Sequence, residues 1–168
     1  MAAATPTLAQ FLDAIHARLV ALQAAGQALE GHTVQKYEHR FENEYLEVVE
    51  AVQNSTTGEA NIWILDVEAV DEDEPSDGAV GEIYEVYRAR IRYLSVRANV
   101  ANWSELARDK AEAVRNDLSK NTSVFRIGSQ PQLRTPETVQ FSSHEKIDRN
   151  GQTYFESTLR PVGEGRRF

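Results

Sequence analysis

Two stretches with strand-like alternation flank an acidic run, and together they commit the chain to a long antiparallel hairpin. In "ANIWILDVEAV" (residues 60–70), Trp63, Leu65, Val67 and Ala69 share one face, and Ile62, Ile64, Asp66, Glu68 and Val70 share the other. In "GEIYEVYRARIRYLSV" (residues 81–96), Ile83, Tyr87, Ala89, Ile91 and Tyr93 share one face, and Arg88, Arg90 and Arg92 the other. Strand side chains repeat every two residues, so parity decides which residues meet. Antiparallel pairing with the Trp63 face beside the Ile91 face brings Asp66 and Glu68 to the arginines. Such cross-strand pairs contribute about 0.2–1 kcal/mol each. The run Asp71, Glu72, Asp73, Glu74 and Asp77 then forms the exposed loop at the hairpin tip, punctuated by Pro75 and Gly78.

Around this hairpin the periodicity predicts two helices. Over residues 7–25, Leu8, Phe11, Leu12, Ile15, Leu19 and Leu22 make one apolar stripe, with Thr5 and Pro6 suited to its start and Gly26 to its end. Over residues 102–119, Trp103, Leu106, Ala107, Ala111, Val114 and Leu118 make a second, opened by the capping-box-like pair Asn102 and Glu105. Residues 33–53 fit either a helical stripe or alternation and are read as extended. "VEAV" occurs at Val49–Val52 and again at Val67–Val70, as two partner strands around Asn54–Glu59 would show. After the second helix come "SVFRI" (Ser123–Ile127) and a loop through Pro131 and Pro136, and two or three strands close the chain. Asn150-Gly151 marks a closing hairpin. A two-residue turn there sets Ile147 against Tyr154 and Glu145 against Glu156, and the like charges argue for a longer turn. The predicted class is α+β: a mixed, mostly antiparallel sheet with a long hairpin, packed by two amphipathic helices. The domain is expected to span residues 1–162, with residues 163–168 a flexible tail.

The chain's 168 residues suffice for one core, and 41% apolar content is far from a disordered composition. The N-terminal "MAAATPTLAQ" has neither a basic start nor an apolar stretch, so no secretion signal is readable, and no run approaches the length of a membrane span. With no cysteine there are no disulfides, thiolate metal sites or cysteine nucleophile. A net charge of −8 without a basic cluster argues against tight DNA binding, while an acidic surface lets DNA pass. The acidic run lacks the residue order of a calcium loop and reads as solvated. His16, His32, His39 and His144 show no metal-ligand spacing. No Gly-x-Ser-x-Gly elbow or phosphate loop is present. Neither a metal nor a cofactor is expected, and nothing supports an enzyme. The row Arg88, Arg90, Arg92 could grip phosphate or an acidic partner, but reads as an exposed sheet face with cross-strand pairs. With Ile62, Ile64 and Val70 among these charges, the face is a mixed surface of the kind that subunit contacts use.

The order of these elements resembles the tail-terminator (tail-completion) proteins of tailed bacteriophages. The likeness is carried by the N-terminal helix at Leu8–Ala25 and the strand "ANIWILDVEAV" entering an acidic loop. The strand "YEVYRARIRYLSVRANV", the helix near "ANWSELARDKAEAVRNDL" and the closing "GQTYFESTLRPV" complete it. The resemblance implies a virion protein assembled in the host cytoplasm and located in the tail or neck. Its copies would form a six-membered ring on the last tail-tube ring, stop tube growth and meet a neck or head-completion protein, with DNA passing through the centre. It would place Asp71, Glu72, Asp73, Glu74 and Asp77 at the lumen or a partner ring, and Arg88, Arg90, Arg92, Asp66 and Glu68 at a subunit boundary. Another connector, such as a head-closure protein, is the nearest alternative; a stand-alone α+β enzyme or ligand-binding domain is the more distant one.

Overall fold

The computed structural model describes residues 7–38, 53, 56–73, 83–96, 100–120, 139–149 and 151–167. Helix α1 spans Leu8–Ala21. Its cap is Thr7, not Thr5: Gln10 N donates to Thr7 Oγ1 at 3.2 Å, and Thr7 N donates to Gln10 Oε1 at 2.9 Å. This reciprocal box satisfies two of the amide donors left open at a helix start. The helix ends at Ala21, earlier than Gly26, and a run of turns leads Leu22 and Leu29 back into the core. Helix α2 spans Trp103–Lys120. Its buried stripe is Ala107, Ala111, Val114 and Leu118, whereas Leu106 is 41% exposed. Arg18 clamps the two helices together, donating from Nε and Nη2 to the Asp117 carboxylate at 2.7 and 2.6 Å.

The strands are β1 (Thr33–Lys36), β2 (Ala60–Asp73), β3 (Ile83–Val96), β4 (Gln140–Arg149), β5 (Gln152–Arg160) and β6 (Val162–Arg167). Among the described residues they form one six-stranded sheet in the order β1-β2-β3-β5-β4, with β6 also on β3. Only β1 and β2 run parallel; the other pairs are antiparallel. The fold is α+β, with a mixed, mostly antiparallel sheet.

The expected parity holds as far as Val67; beyond an extra residue at Glu68 it reverses, with Ala69 opposite Arg88 and Val70 opposite Tyr87. Trp63 lies opposite Tyr93, Leu65 opposite Ile91 and Val67 opposite Ala89. These residues, with Tyr87 and Leu159, pack against Phe11, Leu12, Ile15 and Leu19 of α1 and the buried stripe of α2. Both helices therefore cover one face. The other face is not the exposed surface the sequence suggests. Ile62, Ile64, Leu94, Val96 and Tyr154 form a second buried cluster there, joined by Tyr37 and Ile147.

Several other expectations change. Asp71–Asp73 are not loop but extend β2, with Asp73 opposite Tyr84; Glu74 and Asp77 lie outside the described residues. The expected tail is largely strand: β6 continues the register of β5 along β3, up to Arg167 opposite Ile83. The closing turn is the short one. Arg149 pairs with Gln152 around Gly151 (φ 77°), and Ile147 meets Tyr154 while Glu145 meets Glu156. Glu145 is exposed, so water screens the like charges. Val49–Val52, His39, Ser123–Ile127, Pro131 and Pro136 also lie outside the described residues.

Candidate functional site: a charged lattice on the second sheet face

Parity sends Asp66 to the face away from the helices, beside the β3 arginines. Arg90 grips it in a fork, Nε to Oδ1 at 3.0 Å and Nη2 to Oδ2 at 2.6 Å. Arg92 Nη2 also donates to Oδ2, at 3.1 Å. Asp66 is fully enclosed and Arg92 is 2% exposed. The expected exposed arginine row is thus largely interior. One carboxylate cannot balance two guanidinium groups, and the neighbouring strands supply the rest. The Asp66 bond foremost, with Glu68 and Glu156 at longer range, raises the Arg90 pKa further and holds its charge. Arg160 of β5 donates from Nε to Glu68 Oε1 at 2.9 Å. Asp66, Glu68 and Glu156 thereby interleave with Arg90, Arg92 and Arg160. Buried charge of one sign alone would cost several kcal/mol per ion; an interleaved lattice with forked hydrogen bonds offsets much of that.

Further along the hairpin the lattice reaches solvent. Arg88 Nε donates to Asp71 Oδ2 at 2.6 Å, and the two side chains are 47% and 49% exposed. Of the expected subunit-boundary residues, Asp66 and Arg92 are enclosed and Arg90 is nearly so. Arg88, and in part Glu68, are the ones facing outward.

Two polar constellations on the helix face were not legible in the sequence. Trp63 Nε1 donates to His32 Nδ1 at 2.9 Å. His32 stacks on Tyr93 with ring centroids 5.7 Å apart, and Trp63 stacks on Tyr93 at 4.3 Å. Burial, with Lys110 nearby, lowers the His32 pKa to about 4, so the ring is neutral and its acceptor nitrogen is kept for the indole. Burial raises the Tyr93 hydroxyl to about 12, and it donates to Asn61 Oδ1 at 2.7 Å.

The second constellation sits where α2 starts. His144 Nε2 lies 3.1 Å from Ser104 Oγ, and Nδ1 lies 2.7 Å from Ser157 Oγ. A hydroxyl, an imidazole and a third group in line have the outline of a nucleophilic relay. The third group here is a neutral serine, which cannot stabilise an imidazolium as a carboxylate does. Burial, then Arg108, also lowers the His144 pKa. The arrangement works as a tie between α2, β4 and β5. Among the described residues, no group of three or more His, Asp or Glu is placed to hold a metal ion, and no helix is long and apolar enough to cross a membrane.

No family model matches the chain, and no curated protein matches it. Among solved structures it is similar to a chain of one titled "Virion of native gene transfer agent (GTA) particle", at 16% identity, covering 95% of this chain and 98% of that chain. The TM-score is 0.42, too low for the likeness to carry a fold assignment by itself.

Proposed function

We propose that this chain is a structural protein of a phage-like virion. Within that class we read it as a tail terminator, without enzymatic activity, that closes into a six-membered ring on the tail tube. The ring would stop tube growth and present a surface to a neck or head-completion protein.

One observation carries this reading. Among the described residues the helix-covered core reaches Val67 and Tyr87, and the β2–β3 ladder runs on to Asp73 and Tyr84, with β6 alongside. The chain thus builds a three-stranded arm of Ala69–Asp73, Ile83–Arg88 and β6, whose base at Tyr87 and Gly163 rests on the helix-covered core. On this arm Val70, Asp71 and Arg88 are exposed, surface that a neighbouring subunit could bury. A contact that repeats head to tail closes a ring when its rotation divides a full circle. The arm also carries Asp71, Glu72 and Asp73. In a ring lumen these would repel phosphate and let DNA slide.

Native mass measurement with particle imaging tests the ring, and copurification with a tail-tube protein separates a terminator from a head-closure protein. A persistent monomer that turned over a small molecule would end the structural reading.

A further inference from the structure

Three irregularities of the sheet fall close together, all between Arg88 and Arg92 along β3. β2 carries one extra residue between Val67, opposite Ala89, and Ala69, opposite Arg88, which leaves Glu68 as a bulge. β4 carries another between Phe141, opposite Leu159, and Ser143, opposite Thr158, which leaves Ser142 as a bulge. Between them, β5 and β6 follow β3 in one register, Leu159 opposite Ile91 and Val162 opposite Arg88. Pro161 interrupts that strand. Its carbonyl accepts from Ala89 N at 3.0 Å, but it has no N–H to return. The ladder is therefore weakened on both sides of β3 at Ala89, and bulges add bend and twist there.

Arg160, immediately before Pro161, joins the two bulges. Its Nε donates to Glu68 Oε1 at 2.9 Å and its Nη1 to Ser142 Oγ at 2.7 Å. To reach Glu68 the side chain spans β3 altogether. One guanidinium thus ties β5 to β2 and β4 at the level where the backbone ladder is thinnest. On the helix face the same level rests on Phe11, which lies against Gly163 and Tyr87.

We propose that Arg160 is a positioning residue that sets the angle at which the β2–β3–β6 arm leaves the body of the sheet. The Phe11 contact blocks movement toward the helices, and the Arg160 clasp restrains movement the other way. The clasp is only partly buried, Arg160 at 39% and Glu68 at 25% exposure, so charge and solvent reach it. If the arm meets a neighbouring copy, which rests on the function proposed above, the clasp also fixes the geometry of that contact.

Segment-resolved amide exchange on the full chain tests this. Arg160→Met should speed exchange about tenfold in residues 69–73, 83–88 and 162–167, and leave residues 61–66, 91–95 and both helices within about twofold. Arg160→Lys keeps the charge but loses the fork, and should fall between. Should Arg160→Met fail to fold, Glu68→Gln and Ser142→Ala each loosen one limb and should each give part of the arm-specific change. Uniform acceleration through body and arm, or no change in the arm, overturns the proposal. Sedimentation of the same samples separates the two readings. A loosened arm with unchanged assembly keeps the clasp and removes the arm from the ring contact; weakened assembly supports both.

Discussion

The lattice around Asp66 shows how far parity carries at the scale of a residue. Alternation in two segments is enough to place Asp66 beside Arg90, and the structure has it there. Alternation is silent on whether the second face is covered, so the burial of Asp66 and Arg92 could not be read from it. Burial changes the energetics. Asp66→Asn should cost about 3–5 kcal/mol in urea unfolding, because two guanidinium groups lose their enclosed partner. Replacing Asp66, Arg90 and Arg92 together by Leu, Met and Met should cost clearly less than that single change, since no fully enclosed charge is left and the remaining Glu68 and Glu156 are only partly buried. His32 gives a second expectation. Its folded pKa of about 4 lies below the ordinary histidine value of 6.5, so the unfolded chain takes up the proton first. Its contribution is therefore complete above pH about 6.5 and is lost as pH falls toward about 4. His32→Gln, which does not titrate, should flatten the fall of the urea midpoint over that window. An unchanged slope would detach the Trp63–His32 bond from acid stability.

Elements were legible where one face repeats at a fixed period. Both helices, the long hairpin and the closing hairpin follow from their own residues. β6 does not. "GEGRRF" has no alternation and reads as a tail, and it becomes strand because β5 has already set the register along β3. That information is non-local, as are the bulges at Glu68 and Ser142, which only the paired strand reveals. Gly163 shows how closely β6 is held. A Cβ built there would lie 2.5 Å from Phe11 Cε2, and Phe11 is fully buried in α1. Gly163→Ala should therefore destabilise by about 1–3 kcal/mol through overpacking, read by thermal or urea unfolding. Adding Phe11→Leu should relieve part of that cost, a coupling of the kind contacting residues show. If Gly163→Ala is neutral, β6 does not pack against α1 as described.

On the scale of the whole molecule, two electrostatic terms oppose each other in any assembly. Each copy carries a net charge of −8, so copies repel at long range. The Arg88–Asp71 end of the lattice is exposed and offers short-range pairs to a neighbour. The two respond oppositely to salt. Between 0.01 and 0.15 M ionic strength the screening length falls from about 30 to about 8 Å, which removes repulsion between whole subunits. It removes less of a contact that excludes water. Exposed pairs are also worth only about 0–1 kcal/mol, too little to outweigh repulsion between whole like-charged copies. Self-association of the purified chain should therefore strengthen over that range, seen by sedimentation velocity as a shift toward the assembled species. Replacing Asp71, Glu72 and Asp73 by Asn, Gln and Asn should reduce the salt needed while leaving the fold intact. If added salt instead dissolves the assembly, the contact is built on charge pairs across the boundary, and Arg88 becomes the residue whose removal should break it.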